Sequence, residues 1–169
     1  MLSLTMSTET TSTTTSTPGP ITNRVNRIIA GNDPELIAEM PSGYAILGKY
    51  QPQPITGCCM LLPKEVVSSP NDLSHSERAQ FFSDLTLLGD AILQVTGSKR
   101  INYLVLCNQV PELHGHCIPR FENEDPTKRM QGPFEAYDFG NARISDAKGE
   151  DQQLISELRK ALNNLLKNE

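Results

Sequence analysis

Apolar residues recur along this chain at two spacings, one typical of helices and one typical of strands. Ile21, Val25 and Ile28 repeat every three or four residues and predict a helix that stops near Gly31. The sequence Ser74-His75-Ser76-Glu77 is a capping box and predicts the start of a long helix. In chain order, the pattern predicts helices over about 21–30, 33–40, 75–96 and 150–167, and strands over 43–50, 57–63, 101–108 and 112–119.

The order of these elements favours an α+β domain with an antiparallel sheet over a fold built from βαβ units. Strands follow one another through short, hairpin-like joins, and helices stand before, between and after the strand pairs. Residues 3 to 17 are almost wholly Ser and Thr, so residues 1–20 are predicted to be a disordered tail. We therefore expect one folded domain over residues 21–169.

Composition excludes several classes of protein. A net charge of −5 and a pI near 5.2 argue against sequence-independent binding of nucleic acid, which needs a basic surface. The four cysteines lie in apolar runs, which predicts reduced core thiols in a cytoplasmic protein. No run approaches the roughly 18 apolar residues of a membrane span, and the first residues lack the features of a signal peptide.

The segment from Glu112 to Arg120 carries the candidate chemistry. It holds two of the three histidines, two residues apart, in an apolar run that reads as a strand. Because side chains alternate along a strand, one set of residues should face a site and the other should enter the core. The first set is Glu112, His114, His116, Ile118 and Arg120, and the second is Leu113, Gly115 and Cys117.

Paired imidazoles on a strand can serve two kinds of chemistry. A neutral imidazole can attack phosphorus when its other nitrogen is protonated and held by an acceptor, most simply a backbone carbonyl. The second imidazole can then donate to a phosphate oxygen as charge develops. The same spacing also suits a metal, and His114, His116 and Glu112 could form a set of two histidines and one carboxylate.

The wider context of the two histidines resembles the signature strand of the histidine triad (HIT) superfamily, H-φ-H-φ-H-φ-φ. It is most similar to the branch that resembles the diadenosine polyphosphate hydrolases. In that branch the strand has the sequence N-x-V-P-H-L-H-W-H-V-I-P-R-Y. The chain matches that branch at Asn108, Val110, Pro111, Leu113, His114, His116, Ile118, Pro119 and Arg120. Further similarity lies in Ile101-Asn102-Tyr103, in Gly57 to Lys64, and in Asp72-Leu73-Ser74. The resemblance covers about residues 43 to 126.

The resemblance implies a fold and a reaction. The fold would be an antiparallel sheet of about five strands with one long central helix and a C-terminal helix. The reaction would be hydrolysis or transfer of a nucleotidyl group, with His114 as the nucleophile that forms a nucleotidyl-histidine intermediate. His116 and Asn108 would contact the phosphates, no cofactor or obligatory metal would be needed, and the protein would be a homodimer. Dinucleoside polyphosphates and nucleoside phosphoramidates are the substrates that the resemblance suggests.

Two residues depart from the family pattern. Glu112 stands where the first histidine is usual, and a carboxylate there would repel a polyphosphate and raise the pKa of His114 or His116. A non-catalytic nucleotide-binding protein is therefore an alternative to the enzyme. Gly115 replaces a large apolar residue, which predicts thin local packing.

Four further residues are candidates for the site. Arg120 could bind a phosphate through both arms of its guanidinium, or pair with Glu122 or Glu124. Gln51 could contact a ribose, and Asn102 could be a ligand or a structural hydrogen-bonding residue. Asn108 would face the histidines if a three-residue hairpin loop set it opposite Glu112, whereas a four-residue loop would turn it into the core. We expect the three-residue loop.

Overall fold

A computed structural model of the protein describes residues 17–168. Its helices are α1 (Pro20–Ile29), α2 (His75–Thr96), α3 (Pro126–Arg129), α4 (Pro133–Ala136) and α5 (Gln152–Leu166), with a 3-10 turn at Pro70–Asp72. Its strands are β1 (Leu36–Glu39), β2 (Gly43–Leu47), β3 (Tyr50–Gln51), β4 (Cys59–Pro63), β5 (Arg100–Leu104), β6 (Gly115–Arg120) and β7 (Arg143–Ile144).

Five strands form one antiparallel sheet in the order β1-β2-β4-β6-β5, and β3 pairs with β7 in a separate ribbon. Alternate residues of the central strands face opposite sides of the sheet. Leu47 and Leu61 pack with α2 and α5 in the main core, whereas Ile46 and Leu62 pack with Ile21, Val25 and Ile28 of α1. The sheet is thus covered by α2 and α5 on one face and by α1 on the other.

This architecture confirms the predicted α+β class, the five-stranded antiparallel sheet, the long central helix and the C-terminal helix. The capping box at Ser74 and Glu77 is present, and α2 ends at Gly97 in the left-handed conformation. The cysteines are free, and Cys58, Cys59 and Cys117 are buried. Within residues 17–168, no helix is long and apolar enough to cross the hydrocarbon core of a bilayer.

The helix predicted over 33–40 is wrong, because residues 36–39 form the edge strand β1. The Asp33 carboxylate does not cap a helix: it accepts hydrogen bonds from Arg24 and Arg27 of α1 and from the Glu35 N–H. Pairing with β2 then satisfies the backbone hydrogen bonds of β1 in an extended conformation. An irregularity between Leu36 and Ala38 allows the adjacent Ile37 and Ala38 both to be buried.

The hairpin that carries the histidines is shorter than predicted. Its strands span 100–104 and 115–120 rather than 101–108 and 112–119. Cys107 has a φ of 52°, which takes the chain out of extended geometry before the turn. The pairing of Leu104 with His116 nevertheless keeps the register that, if continued, sets position 108 opposite position 112.

The predicted tail, residues 1–20, lies largely outside the described residues. Residues 1–16 and 169 are not described, while residues 17–20 are described and Pro20 is the first residue of α1.

Candidate active site

A cleft of about 590 Å³ opens beside the β6 histidines. Three further chain segments form its walls: the turn after β2, the loop 106–110, and the stretch from α4 to residue 140. His114, His116 and Ile118 line one side of the cleft, as the predicted alternation requires. On the other side of the segment, Leu113 and Cys117 are fully buried in the main core.

His114 is held in one orientation by the backbone that precedes it. Its Nδ1 lies 2.7 Å from the carbonyl oxygen of Glu112. A carbonyl oxygen only accepts hydrogen bonds, so Nδ1 carries a proton, and in the neutral imidazole Nε2 therefore keeps its lone pair. His114 is 7 % exposed, and the cleft that it lines is its route to a ligand. This is the arrangement that a nucleophilic imidazole needs.

His116 lies on β6 between two aromatic partners. Its ring makes edge-to-face contacts with His114, at 4.9 Å between centroids, and with Phe134, at 5.4 Å. Burial, reinforced by the neighbouring His114, lowers the pKa of His116 to about 4. The predicted upward shift from Glu112 is therefore wrong for His116, whose imidazole is neutral at physiological pH.

The lowered pKa of His116 makes the stability of the protein depend on pH. Between the ordinary value of 6.5 and about 4, the unfolded chain binds this proton more readily than the folded protein. The free energy of unfolding should therefore fall as the pH falls through this window. We expect His116→Asn to flatten this dependence in urea unfolding measured from pH 7 to pH 4.

The exposed His75 offers a matched control for that experiment. His75→Asn should leave the slope of stability against pH unchanged. An unchanged slope in His116→Asn would contradict the prediction.

The packing at Gly115 is tight, contrary to the prediction. A Cβ added to this residue would lie 2.6 Å from Cδ1 of Leu85 on α2. The glycine thus lets β6 approach α2 closely, at the point between the two histidines. The strand is fixed against the long helix, and the histidines are placed by the core behind them.

The Glu112 carboxylate is bound to the start of α1. It accepts hydrogen bonds from the backbone N–H groups of Ile21 and Thr22, at 2.9 Å and 3.2 Å, and from the Thr22 hydroxyl. The proposed metal set of His114, His116 and Glu112 is therefore not assembled. Among residues 17–168, no three His, Cys, Asp or Glu side chains are grouped to hold a metal ion.

Arg120 is occupied by protein groups, so the prediction that it binds phosphate is not supported. The side chain is 4 % exposed and pairs with Glu124 at 2.8 Å. It also donates to Asn102 Oδ1 and to the carbonyl oxygens of Lys128 and Gln131. Asn102 thus takes the structural role of its two predicted alternatives, and Arg120 takes the pairing role.

Gln51 is also structural rather than a ribose ligand. Its side chain is fully buried. The amide donates to the carbonyls of Gly48 and Cys58 and accepts from the N–H groups of Gly57 and Cys58. These bonds use the whole hydrogen-bonding capacity of the side chain to shape the loop that forms one wall of the cleft.

Asn108 is the predicted phosphate ligand that the structure brings to the histidines, since it is exposed and lines the same cleft. The lining residues that the sequence did not predict include Lys49, Tyr50, Phe134 and Phe139. Phe134 and Phe139 contact each other at 4.7 Å and extend the aromatic surface from His116. Their signal in the sequence was two phenylalanines within a Pro/Gly-rich stretch, without periodicity.

Comparison with known proteins agrees with this picture. The family model described as "HIT domain" matches residues 33–123. No curated protein sequence matches the chain significantly.

Three solved structures show the same fold at low sequence identity. A histidine triad protein from Bradyrhizobium japonicum is 23 % identical, with a TM-score of 0.62 over 75 % of this chain and 89 % of its own. A hypothetical histidine triad nucleotide-binding protein from Sulfolobus tokodaii is 20 % identical, with a TM-score of 0.65 over 85 % and 93 %. A diadenosine triphosphate hydrolase from Plasmodium falciparum is 13 % identical, with a TM-score of 0.50 over 80 % and 76 %.

Proposed function

Because this chain belongs to the HIT-domain family, a family of nucleotide hydrolases and transferases, we propose that it acts on nucleotides through a covalent intermediate on His114. One observation carries the proposal. The hydrogen bond from Nδ1 of His114 to the Glu112 carbonyl selects the neutral tautomer in which Nε2 is unprotonated, on a ring that lines the cleft. A fixed, unprotonated ring nitrogen is the group that can attack phosphorus without first losing a proton.

The reaction has two displacements at the same phosphorus. The Nε2 lone pair forms a bond to the phosphorus of the nucleotidyl group, and the bond from phosphorus to the leaving phosphate oxygen breaks with its electron pair. The imidazole becomes a cation, stabilised by its Nδ1–H bond to the Glu112 carbonyl. Water, or another acceptor, then forms a new oxygen–phosphorus bond and releases a proton, while the P–N electrons return to Nε2.

The other residues of the cleft suit the binding of a nucleotide. His116 is neutral, so one of its ring nitrogens carries a proton that can be donated to a phosphoryl oxygen as negative charge develops. Asn108, in the loop 106–110 that lines the cleft, can donate to a phosphate. Phe134 and Phe139 offer an aromatic surface for a nucleobase, and Lys49 adds a positive charge at the cleft.

Dinucleoside polyphosphates are the substrates we propose first. Their leaving group is a phosphate, which departs as an anion and needs no proton from the protein. The Plasmodium falciparum protein of similar fold is a diadenosine triphosphate hydrolase, which gives a specific compound with which to begin. The metal-binding alternative is less favoured because the Glu112 carboxylate is bound to α1.

The covalent intermediate provides the direct test. Mixing the protein with diadenosine triphosphate and denaturing it at alkaline pH, where a P–N bond to histidine survives, should yield an adenylylated peptide. Mass spectrometry should place the modification on His114. The His75→Ala variant should give the same adduct, since His75 is exposed in the first turn of α2 and lies outside the cleft.

A calorimetric titration with adenosine mononucleotides separates the remaining alternative. Nucleotide binding without adduct or turnover at any pH would favour a non-catalytic binding protein. Turnover without an adduct, together with retained turnover when His114 is replaced, would contradict the covalent mechanism.

A further inference from the structure

We propose that Glu112 is a positioning residue for His114, and that it acts by tying helix α1 to the segment in front of β6. This inference rests on the proposed function for its catalytic consequence. The structural evidence for it is that two groups of Glu112 each have a fixed partner. The carboxylate of Glu112 binds α1, while its carbonyl fixes the His114 ring.

The start of α1 lacks a cap of its own. Its N-cap residue is Gly19, which has no side chain, and Pro20 at the first helical position has no N–H. Ile21 and Thr22 therefore carry the first free N–H groups of the helix. Glu112, about ninety residues along the chain, accepts from both of these groups and replaces the missing cap.

The Glu112 carboxylate occupies the space that a side chain at position 19 would take. A Cβ at this position would lie 2.2 Å from Oε2 of Glu112. The backbone of Gly19, with φ −70° and ψ 174°, is one that any residue adopts. A side chain at position 19 would therefore displace the Glu112 carboxylate without straining the backbone.

The peptide unit between Glu112 and Leu113 is held at both of its polar groups. The Leu113 N–H donates to the carbonyl oxygen of Val67 at 2.6 Å, and the Glu112 carbonyl accepts from His114 Nδ1 at 2.7 Å. The Leu113 side chain is fully buried. The carboxylate contact with α1 supplies the remaining constraint on Glu112, and α1 itself is anchored to the sheet by the cluster around Ile46 and Leu62.

Glu112 therefore has a different role in this chain from that of the first histidine of the triad. Replacing Glu112 by histidine would complete the family pattern in the sequence but would remove both acceptor oxygens from the start of α1. Glu112→His should therefore lower turnover of diadenosine triphosphate, not raise it. Higher turnover in this variant would overturn the inference.

The tautomer of His114 gives a readout that does not depend on activity. Nitrogen-15 NMR of the ring in the full chain should show Nδ1 protonated and Nε2 unprotonated near pH 8. Glu112→Ala and Gly19→Ala should both shift the ring toward the other tautomer. The loss of one hydrogen-bond restraint predicts a fall in kcat of about two- to tenfold. Glu112→Gln, which keeps an acceptor oxygen, should retain most of the wild-type tautomer and rate.

Gly132→Ala is the matched control for Gly19→Ala. Gly132 is also the residue before a helical proline, and nothing lies within 4 Å of a Cβ added there. An unchanged His114 tautomer in both Gly19→Ala and Glu112→Ala would overturn the proposal. A shifted tautomer in a protein that never forms an adduct would instead support the positioning role and refute the proposed function.

Discussion

His114→Ala is expected to lower the turnover of diadenosine triphosphate by at least about 10³-fold, because the variant has no atom that can form the covalent intermediate. The nucleotide should still bind, since His116, Asn108 and the aromatic residues remain at the cleft. The measurement is steady-state hydrolysis, combined with calorimetric titration of the nucleotide product. A loss confined to kcat would place His114 in the reacting set.

Two features make this experiment decisive. Replacing His114 by alanine should leave the main core intact, because the side chains that this segment contributes to that core are Leu113 and Cys117. His75→Ala removes an imidazole from an exposed helix end and should leave both kcat and KM unchanged. Comparable turnover in His114→Ala and His75→Ala would mean that the reaction, if any, uses another group.

The side of the strand on which each residue lies was predictable from sequence. An extended backbone turns successive side chains to opposite faces even where it is not paired with a neighbouring strand. His114 precedes the first paired residue of β6 and still shares the cleft with His116 and Ile118. The alternation therefore did not depend on the lengths of the two strands. Both strands are shorter than predicted, and the left-handed conformation of Cys107 interrupts the extended backbone before the turn.

The roles of the polar residues around the histidines were not predictable in the same way. The sequence offered Glu112 as a metal ligand or as a charge that repels phosphate, Arg120 as a phosphate ligand or a partner of Glu122 or Glu124, and Gln51 as a ribose contact. Arg120 takes the predicted pairing with Glu124, but Glu112 and Gln51 bond to groups that only the folded chain brings near, the start of α1 and the backbone around Gly57. A sequence motif shows which type of side chain stands at a position, but it does not show which groups of the folded chain bind that side chain.

The aromatic wall was missed for a related reason. Phe134 and Phe139 belong to a stretch with neither helical nor strand-like periodicity, so nothing in the pattern assigned them a face. The Arg120 guanidinium donates to the carbonyls of Lys128 and Gln131. These bonds hold the chain in place just before α4, the helix that carries Phe134. A residue that resembles a phosphate ligand thus supports one wall of the cleft.

Arg120→Met is therefore expected to lower the free energy of unfolding by about 3–5 kcal/mol, the usual cost of leaving one charge of a buried pair alone. Glu124, whose side chain is fully buried, would lose its guanidinium partner and keep only Tyr137 and the Phe121 N–H. Burial opposes ionisation of Glu124, but its hydrogen bonds, with that of Arg120 the largest, lower its pKa overall. The stability it provides is present above its ordinary pKa of 4.5 and is lost as the pH falls through the lower folded value.

Urea unfolding at pH 7 measures the expected loss. The exposed pair of Lys99 and Glu122 gives the matched control, and Lys99→Met should cost less than about 1 kcal/mol. The double variant Arg120→Met, Glu124→Leu should recover part of the loss, because it removes the charge that the single variant leaves buried. If Arg120→Met instead kept its stability and lost nucleotide affinity, Arg120 would be a phosphate ligand, as its place in the sequence motif first suggested.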